Sequence, residues 1–103
     1  GFINKQKKNI MKKRINYKFK EKEILEIIKT YIDTTYTQHY GKGKYQATDM
    51  IIDAGHGESF CIGNIMKYAM RCGKKEYNST QAELYKIIHY AIIALYMEIW
   101  HDD

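Results

Sequence analysis

Apolar residues recur along the first half of the chain at helical spacing, and the pattern predicts two helices there. The first runs from about Phe19 to Tyr36. Its apolar stripe consists of Ile24, Ile27, Ile28, Tyr31 and Ile32. Glycines and lysines alternate within residues 38–46, a pattern typical of a loop. A short second helix is predicted from Asp49 to about Ala54, with Thr48 as its N-cap.

The second half of the chain predicts two longer helices. One runs from about Glu58 to Cys72, and Gly73 is placed as the left-handed residue that ends it. The last begins near Ser79 or Thr80, where Thr80-x-x-Glu83 matches a capping box, and it ends near Trp100. Its predicted core stripe is Leu84, Ile87, Ile88, Ala91, Ile92, Leu95 and Ile99, with Glu83, Lys86, His89 and Tyr90 on the opposite side.

Beyond residue 90 the last helix becomes apolar on both sides, with Ile93, Tyr96, Met97 and Trp100 on the formerly polar side. A helix that is apolar all round must be covered, and in a chain of 103 residues a second subunit is the natural cover. The sequence therefore predicts an all-α, four-helix domain over residues 19–103 that forms a homo-oligomer through its fourth helix.

Charge is distributed unevenly along the chain. Residues 1–20 carry 8 of the 17 basic residues and no acid, whereas residues 21–103 carry 9 basic and 12 acidic residues, a net charge of −3. The formal net charge of +5 therefore comes from the amino-terminal region. We expect residues 1–18 to form a flexible, solvated arm, with binding to nucleic acid or to a membrane surface as a less favoured alternative.

Several classes of protein fit the sequence poorly. The apolar run from Ala91 to Met97 has seven residues, whereas a membrane span needs about 20. Cys61 and Cys72 lie on one predicted helix, roughly 16 Å apart, so free thiols in a reducing cytoplasm are expected. The histidines are scattered and no Cys-x-x-Cys occurs, so we predict no metal site.

The polar side of the third predicted helix is the strongest candidate for a binding site. Asn64, Lys67 and Arg71 follow one another at spacings of three and four residues and so share one side, with Lys74 and Lys75 just beyond the helix. Arginine binds phosphate through two parallel hydrogen bonds, and lysine supplies a mobile charge. A plain solvated basic face explains the same spacing.

Two weaker clusters lie elsewhere in the chain. On the fourth helix, Lys86 can add a cation to the phosphate site, and Tyr90 can stack on a base. His89 lies beside them, although a lone helical histidine is more often structural. His39 and Tyr40 precede the predicted Gly-Lys-Gly-Lys loop, which matches no Walker motif and is typical of a surface loop.

The segment from Gly63 to Lys75 resembles the SaV-like domain of tailed bacteriophages. The shared block reads Gly-Asn-x-x-Lys-Tyr-x-x-Arg-x-Gly-Lys-Lys, preceded by His39-Tyr40 and followed by an acidic-Leu-x-Lys…Tyr helix that begins here at Glu83, where the family often has Asp. The resemblance spans about residues 36–97. One member of that family is a nucleotide kinase of a podovirus that works without a metal and without a P-loop, so the resemblance implies a similar activity.

Two functions remain open from the sequence. In a metal-independent nucleoside monophosphate kinase, Lys67, Arg71 and Lys86 bind phosphates. The other site residues would be Asn64, Tyr68, Lys74 and Lys75 around the phosphates, Tyr40 or Tyr90 on the base, and His39 or His89 relaying a proton. The alternative is a non-catalytic phage protein that sequesters a nucleotide defence signal, such as a cyclic oligonucleotide or an ADP-ribose derivative. Neither function requires a cofactor.

Overall fold

The architecture is entirely α-helical across the residues that the computed structural model describes, which are 1–11, 13–38 and 41–100. Five helices follow one another along the chain: α1 (Phe2–Ile10), α2 (Glu21–Thr37), α3 (Gly41–Asp53), α4 (Gly57–Arg71) and α5 (Thr80–Trp100). The predicted all-α class is confirmed, with one helix more than predicted.

Helices α4 and α5 form an antiparallel hairpin that is the centre of the fold. Gly73 contacts Thr80 at the turn, Lys86 lies over Tyr68, and Tyr90 contacts Phe60 further from the turn. Helix α3 packs against α4 and α2, and α2 packs against α5. Among the described residues, α1 packs against no other helix and buries none of its side chains.

The turn between α4 and α5 is held by complementary caps. Gly73 has a φ of 81°, as predicted for the residue that ends α4 in the left-handed region. Its backbone N–H donates to Thr80 Oγ1 at 3.0 Å. Ser79 is the residue that caps α5, because its Oγ accepts from the N–H of Ala82 at 3.2 Å.

The start of α3 departs from the sequence prediction. The helix begins at Gly41, so the predicted Gly-Lys-Gly-Lys loop is helical. Thr48 is not an N-cap but a buried residue inside α3, whose hydroxyl donates to the carbonyl of Lys44 at 3.0 Å. Helix α3 is retained despite two glycines because it packs on α2 and α4, and tertiary packing overrides propensity.

The amino-terminal region contains a helix, whereas the sequence predicted a flexible arm. Residues Phe2–Ile10 form α1, and its last turn carries Lys7 and Lys8. The flexibility expected of residues 1–18 in solution stays a prediction.

The buried side of α5 is the side that the sequence pattern assigned to solvent. Glu83, His89 and Tyr90 are buried, whereas the predicted core residues Leu84, Ile92, Leu95 and Ile99 are 41–57% exposed. Helix α4 gives a mixed outcome, because Cys61 is fully buried whereas Ile62, Met66 and Met70 of the same predicted apolar side are exposed. On α2 the predicted stripe residue Ile28 is buried, so the reversal of faces is confined to α5.

Candidate functional site

Cationic side chains from α4 and α5 converge on one aromatic ring. Lys67 and Arg71 lie one turn apart on α4, and Lys86 projects from α5 across the hairpin. The distances to the centroid of the Tyr68 ring are 4.5 Å from Lys67 Nζ, 5.0 Å from Lys86 Nζ and 5.6 Å from Arg71 Cζ. We call this group, Lys67, Tyr68, Arg71 and Lys86, the cation cluster.

The cations of the cation cluster form no ion pair with a carboxylate among the described residues. Within residues 1–11, 13–38 and 41–100 the one ion pair is Lys29–Asp33, which lies on α2. Any two of the three cations are within about 11 Å of each other, because all three lie within 5.6 Å of one centroid. At an effective dielectric constant of about 20, two unit charges at that distance repel by about 1.5 kcal/mol before salt screening. A bound anion would relieve this repulsion.

Tyr90 supports the cation cluster from the interior. Its ring stacks on Tyr68 with centroids 6.0 Å apart and an interplanar angle of 19°, and it is buried. Burial, followed by the neighbouring Tyr68, raises the pKa of the Tyr90 phenol to about 12. Tyr90 is therefore a neutral platform at physiological pH, and Lys44 of α3 lies 5.8 Å from its ring centroid.

An open cavity of about 430 Å³ borders the cation cluster. It is lined by Gly63, Met66, Lys67, Met70, Arg71, Lys74 and Tyr77. Arg71 lies 4.8 Å from the ring centroid of Tyr77, so that ring forms a second wall beside the guanidinium group. The described residues of the lining combine cations, an aromatic ring and methionines, and include no carboxylate and no imidazole.

The structure brings together most of the residues that the sequence singled out. Lys67, Tyr68, Arg71, Lys86 and Tyr90 meet in one place, and Lys74 lines the adjoining cavity. Lys75 lines a neighbouring cavity of about 300 Å³ at the α4–α5 turn. The amide of Asn64 donates to the Phe60 carbonyl at 2.9 Å, so part of its capacity is used within α4. His39 and Tyr40 lie outside the described residues.

Two residues of the site were not identified from the sequence. Lys44 falls in the predicted Gly-Lys-Gly-Lys loop, whereas it belongs to α3 and lies over the rings of Tyr45 and Tyr90. Tyr77 lies between α4 and α5, and no spacing or motif marks it. Only the fold places these two side chains beside the cations.

His89 and Glu83 do not face the cation cluster as exposed acid–base groups. The ring contacts of His89 are with Tyr31 and Tyr45, on another side of α5 from Tyr68. Burial, and then the charge of Lys44, lowers the pKa of His89. Glu83 is fully buried, and its two carboxylate oxygens have no hydrogen-bond partner among the described residues.

Clusters of metal ligands and membrane-spanning helices are absent from the described part of the chain. There, no three His, Cys, Asp or Glu side chains come together in a way that could hold a metal ion. Among the helices α1–α5, none is both long and apolar enough to cross a bilayer. Cys61 and Cys72 are both free thiols, as expected.

Comparison with known proteins gives a family for the chain. Residues 34–92 match the model of DUF3310, a family described as proteins of unknown function. The match covers α3, α4 and most of α5, and so includes the whole cation cluster. No curated protein and no solved structure matches the chain. Because the match extends over more than half of the sequence, the chain belongs to the DUF3310 family.

Proposed function

We propose that the chain binds the phosphate groups of a nucleotide at the cation cluster. The observation that carries the proposal is the convergence of Lys67, Arg71 and Lys86 on the ring of Tyr68, without a carboxylate partner among the described residues. Arg71 presents a planar fork that matches two phosphate oxygens, and the lysines add point charges. The resemblance of Gly63–Lys75 to the SaV-like domain, a family that includes a nucleotide kinase, supports a nucleotide rather than another anion.

Phosphoryl transfer to a nucleoside monophosphate is the activity that we propose first. The acceptor in such a reaction is an already ionised phosphate oxygen, so transfer depends on alignment and charge neutralisation more than on a base. A site with three cations and no exposed carboxylate or imidazole in its lining suits that requirement. The cations would supply charge that Mg²⁺ provides in other kinases.

Sequestration of a nucleotide defence signal is the second candidate. The observation in its favour is the same lining, which offers cations and rings for binding but no group suited to activating water or a hydroxyl. Cyclic oligonucleotides and ADP-ribose derivatives both carry phosphates together with bases. The protein would bind such a signal without converting it to a product.

Binding is tested by calorimetric titration of mono-, di- and triphosphates, cyclic oligonucleotides and ADP-ribose, all in EDTA. The double variant Lys67→Ala/Arg71→Ala should weaken binding at least tenfold, because each hydrogen bond to a charged group contributes about 1.5–3 kcal/mol. The matched control is Lys22→Ala, which removes an exposed lysine from α2. Equal affinity in the double variant and the control would refute the site.

A product assay separates the two functions. Nucleoside monophosphate and triphosphate are incubated with the protein, with and without Mg²⁺, and diphosphate is quantified. Diphosphate formed in EDTA and lost in Lys67→Ala/Arg71→Ala supports the kinase. Sub-micromolar binding of a cyclic or ADP-ribose signal without any product supports sequestration instead.

We also propose that the chain forms a homo-oligomer. A compact monomer of 12.2 kDa exposes about 6,000 Å², whereas this chain exposes 8763 Å². Its radius of gyration is 16.1 Å, against about 13 Å for a compact domain of 100 residues. Helix α1 accounts for part of the surplus, and exposed apolar side chains of α4 and α5 contribute to the rest. Obligate homodimers bury roughly 1,000–2,500 Å² per subunit, so covering part of this surplus of about 2,800 Å² would suffice for a stable dimer.

A further inference from the structure

A second cavity lies between α2, α3 and α5, and its lining is aromatic. Its volume is about 330 Å³, within the range of small-molecule sites. Tyr36 and Tyr45 line one wall as a stacked pair, with centroids 4.2 Å apart and an interplanar angle of 9°. Tyr96 lines the cavity from α5. Of the described residues, neither a lysine nor an arginine lines this cavity, in contrast to the one beside the cation cluster.

His89 gives this cavity a polar group. The side chain is 6% exposed and lines the cavity. It contacts the rings of Tyr31 and Tyr45. Because its pKa is lowered, the imidazole is neutral at physiological pH and offers one donor and one acceptor. A ligand in the cavity can therefore form a hydrogen bond with either ring nitrogen.

Asp49 adds a carboxylate at the exposed side of the same cavity. It belongs to α3, one residue after the buried Thr48, and no lysine or arginine pairs with it within the described ranges. A free carboxylate repels phosphate and accepts hydrogen bonds from N–H groups. The cavity therefore suits a planar ring with N–H donors and does not suit an anion.

We propose that this cavity binds the base of the nucleotide, with Tyr36 and Tyr45 providing stacking surface and Asp49 and His89 reading the edge of the base. This inference rests on the proposed function for the identity of the ligand. Stacking on aromatic side chains contributes about 1–3 kcal/mol per base. Guanine fits the polar groups best, because its ring N–H and its amino group lie side by side and can donate to both oxygens of one carboxylate.

Lys44 links this cavity to the cation cluster. Its ammonium group lies 6.0 Å from the ring centroid of Tyr45 and 5.8 Å from that of Tyr90. Tyr90 in turn stacks on Tyr68, and Lys67, Arg71 and Lys86 lie over the Tyr68 ring. A base held in this cavity would thus direct its phosphates past Lys44 towards the cation cluster.

Nucleosides, which carry no phosphate, test the base site separately from the phosphate site. Guanosine, inosine and uridine are titrated into the full chain and followed by NMR. Two variants alter exposed side chains of the cavity: Tyr36→Leu removes a stacking ring and Asp49→Asn removes the carboxylate. The control Asp53→Asn makes the same change one turn further along α3, at a residue that does not line the cavity.

The expected result is that guanosine binds more tightly than inosine, which lacks the amino group. Tyr36→Leu should weaken guanosine binding at least fivefold, which corresponds to about 1 kcal/mol of lost stacking. Asp49→Asn should abolish the preference for guanosine over inosine. Asp53→Asn should leave nucleoside binding unchanged.

The failures of the two proposals are distinguishable. If no nucleoside binds, or if Tyr36→Leu and Asp49→Asn bind guanosine as the wild type does, the base site is wrong even where nucleotide phosphates still bind at the cation cluster. If guanosine binds as expected while the Lys67→Ala/Arg71→Ala variant binds inorganic triphosphate and nucleotides as tightly as the wild type does, the base site stands and the phosphate site is wrong.

Discussion

Tyr68 of α4 and Tyr90 of α5 stack with their centroids 6.0 Å apart, and this contact joins the exposed cation cluster to the interior of the hairpin. Tyr68 is half-buried, and the three cations lie over its ring. Tyr90 is buried and contacts Phe60 edge-on at 5.7 Å. The orientation of Lys67, Arg71 and Lys86 therefore depends on how α4 and α5 pack. Stability and phosphate binding are expected to be coupled through this pair.

Replacing the ring of Tyr68 tests that coupling. We expect Tyr68→Leu to lower the free energy of unfolding by about 1–2 kcal/mol, since it removes the stack on Tyr90 and the cation–π contacts together. Tyr68→Phe keeps the ring and should remain within about 0.5 kcal/mol of the wild type. Urea denaturation measures both variants. Equal stability of the Leu and Phe variants would show that the ring contacts contribute little.

The sequence predicted most directly the part of the site that lies on one helix, and it offered Lys86 of α5 as a further cation. The spacing of Lys67 and Arg71 places both on one side of α4, and the structure keeps them together. Lys44 was missed because alternating glycine and lysine favoured a loop, whereas packing of α3 on α2 and α4 makes the segment helical. Tyr77 belongs to a turn without periodicity. The reversed faces of α5 have a related cause, because periodicity separates two faces without showing which one a neighbouring helix will cover.

The two glycines at the start of α3 are expected to respond oppositely to alanine. A Cβ atom on Gly41 would meet the carbonyl oxygen of Thr35 at 2.5 Å, and backbone cannot move aside easily. Gly41→Ala should therefore destabilise the fold by about 1–3 kcal/mol. Gly43 has open space around its Cβ position, so Gly43→Ala should be neutral or stabilise α3 by up to about 1 kcal/mol.

Thermal denaturation of the two alanine variants beside the wild type measures this difference. The pair is well matched because both residues lie within three positions on one helix. A loss of stability in Gly43→Ala as large as in Gly41→Ala would mean that the close approach of α3 to α2 at Thr35 is not what requires glycine.

Stability should fall as the pH is lowered through the ordinary pKa range of histidine. Burial lowers the pKa of His89 below its usual 6.5, so below about pH 6.5 the unfolded chain takes up a proton that the folded chain does not. Proton uptake by the unfolded state favours unfolding, and the stability from the neutral imidazole is present above pH 6.5 and lost below it. The melting temperature at pH 8 should exceed that at pH 5.5.

Two histidine variants test whether His89 causes this pH dependence. His89→Gln should reduce the difference in melting temperature between pH 8 and pH 5.5, because the buried titrating group is gone. His56→Gln replaces an exposed histidine just before α4 and should retain the difference. If both variants behave alike, the dependence arises elsewhere in the chain.

The proposed oligomer is tested by measuring the mass in solution and by altering the exposed apolar side of α5. Light scattering after size exclusion should give a multiple of the 12.2 kDa chain mass. Leu95 is 57% exposed, and Leu95→Glu places a charge where we expect the second copy to pack, so the mass should fall towards that of the monomer.

Gln46→Glu is the matched control for this change, because it adds the same charge at an exposed position of α3. Trp100, the single tryptophan, provides a second readout: it is 60% exposed in one chain and stacks on Tyr96 with centroids 5.9 Å apart. Covering by a second copy would shift its emission to shorter wavelength, and Leu95→Glu would reverse the shift. A wild-type mass of 12.2 kDa with tryptophan emission unchanged by Leu95→Glu would mean that α5 remains open to solvent and that the chain functions as a monomer.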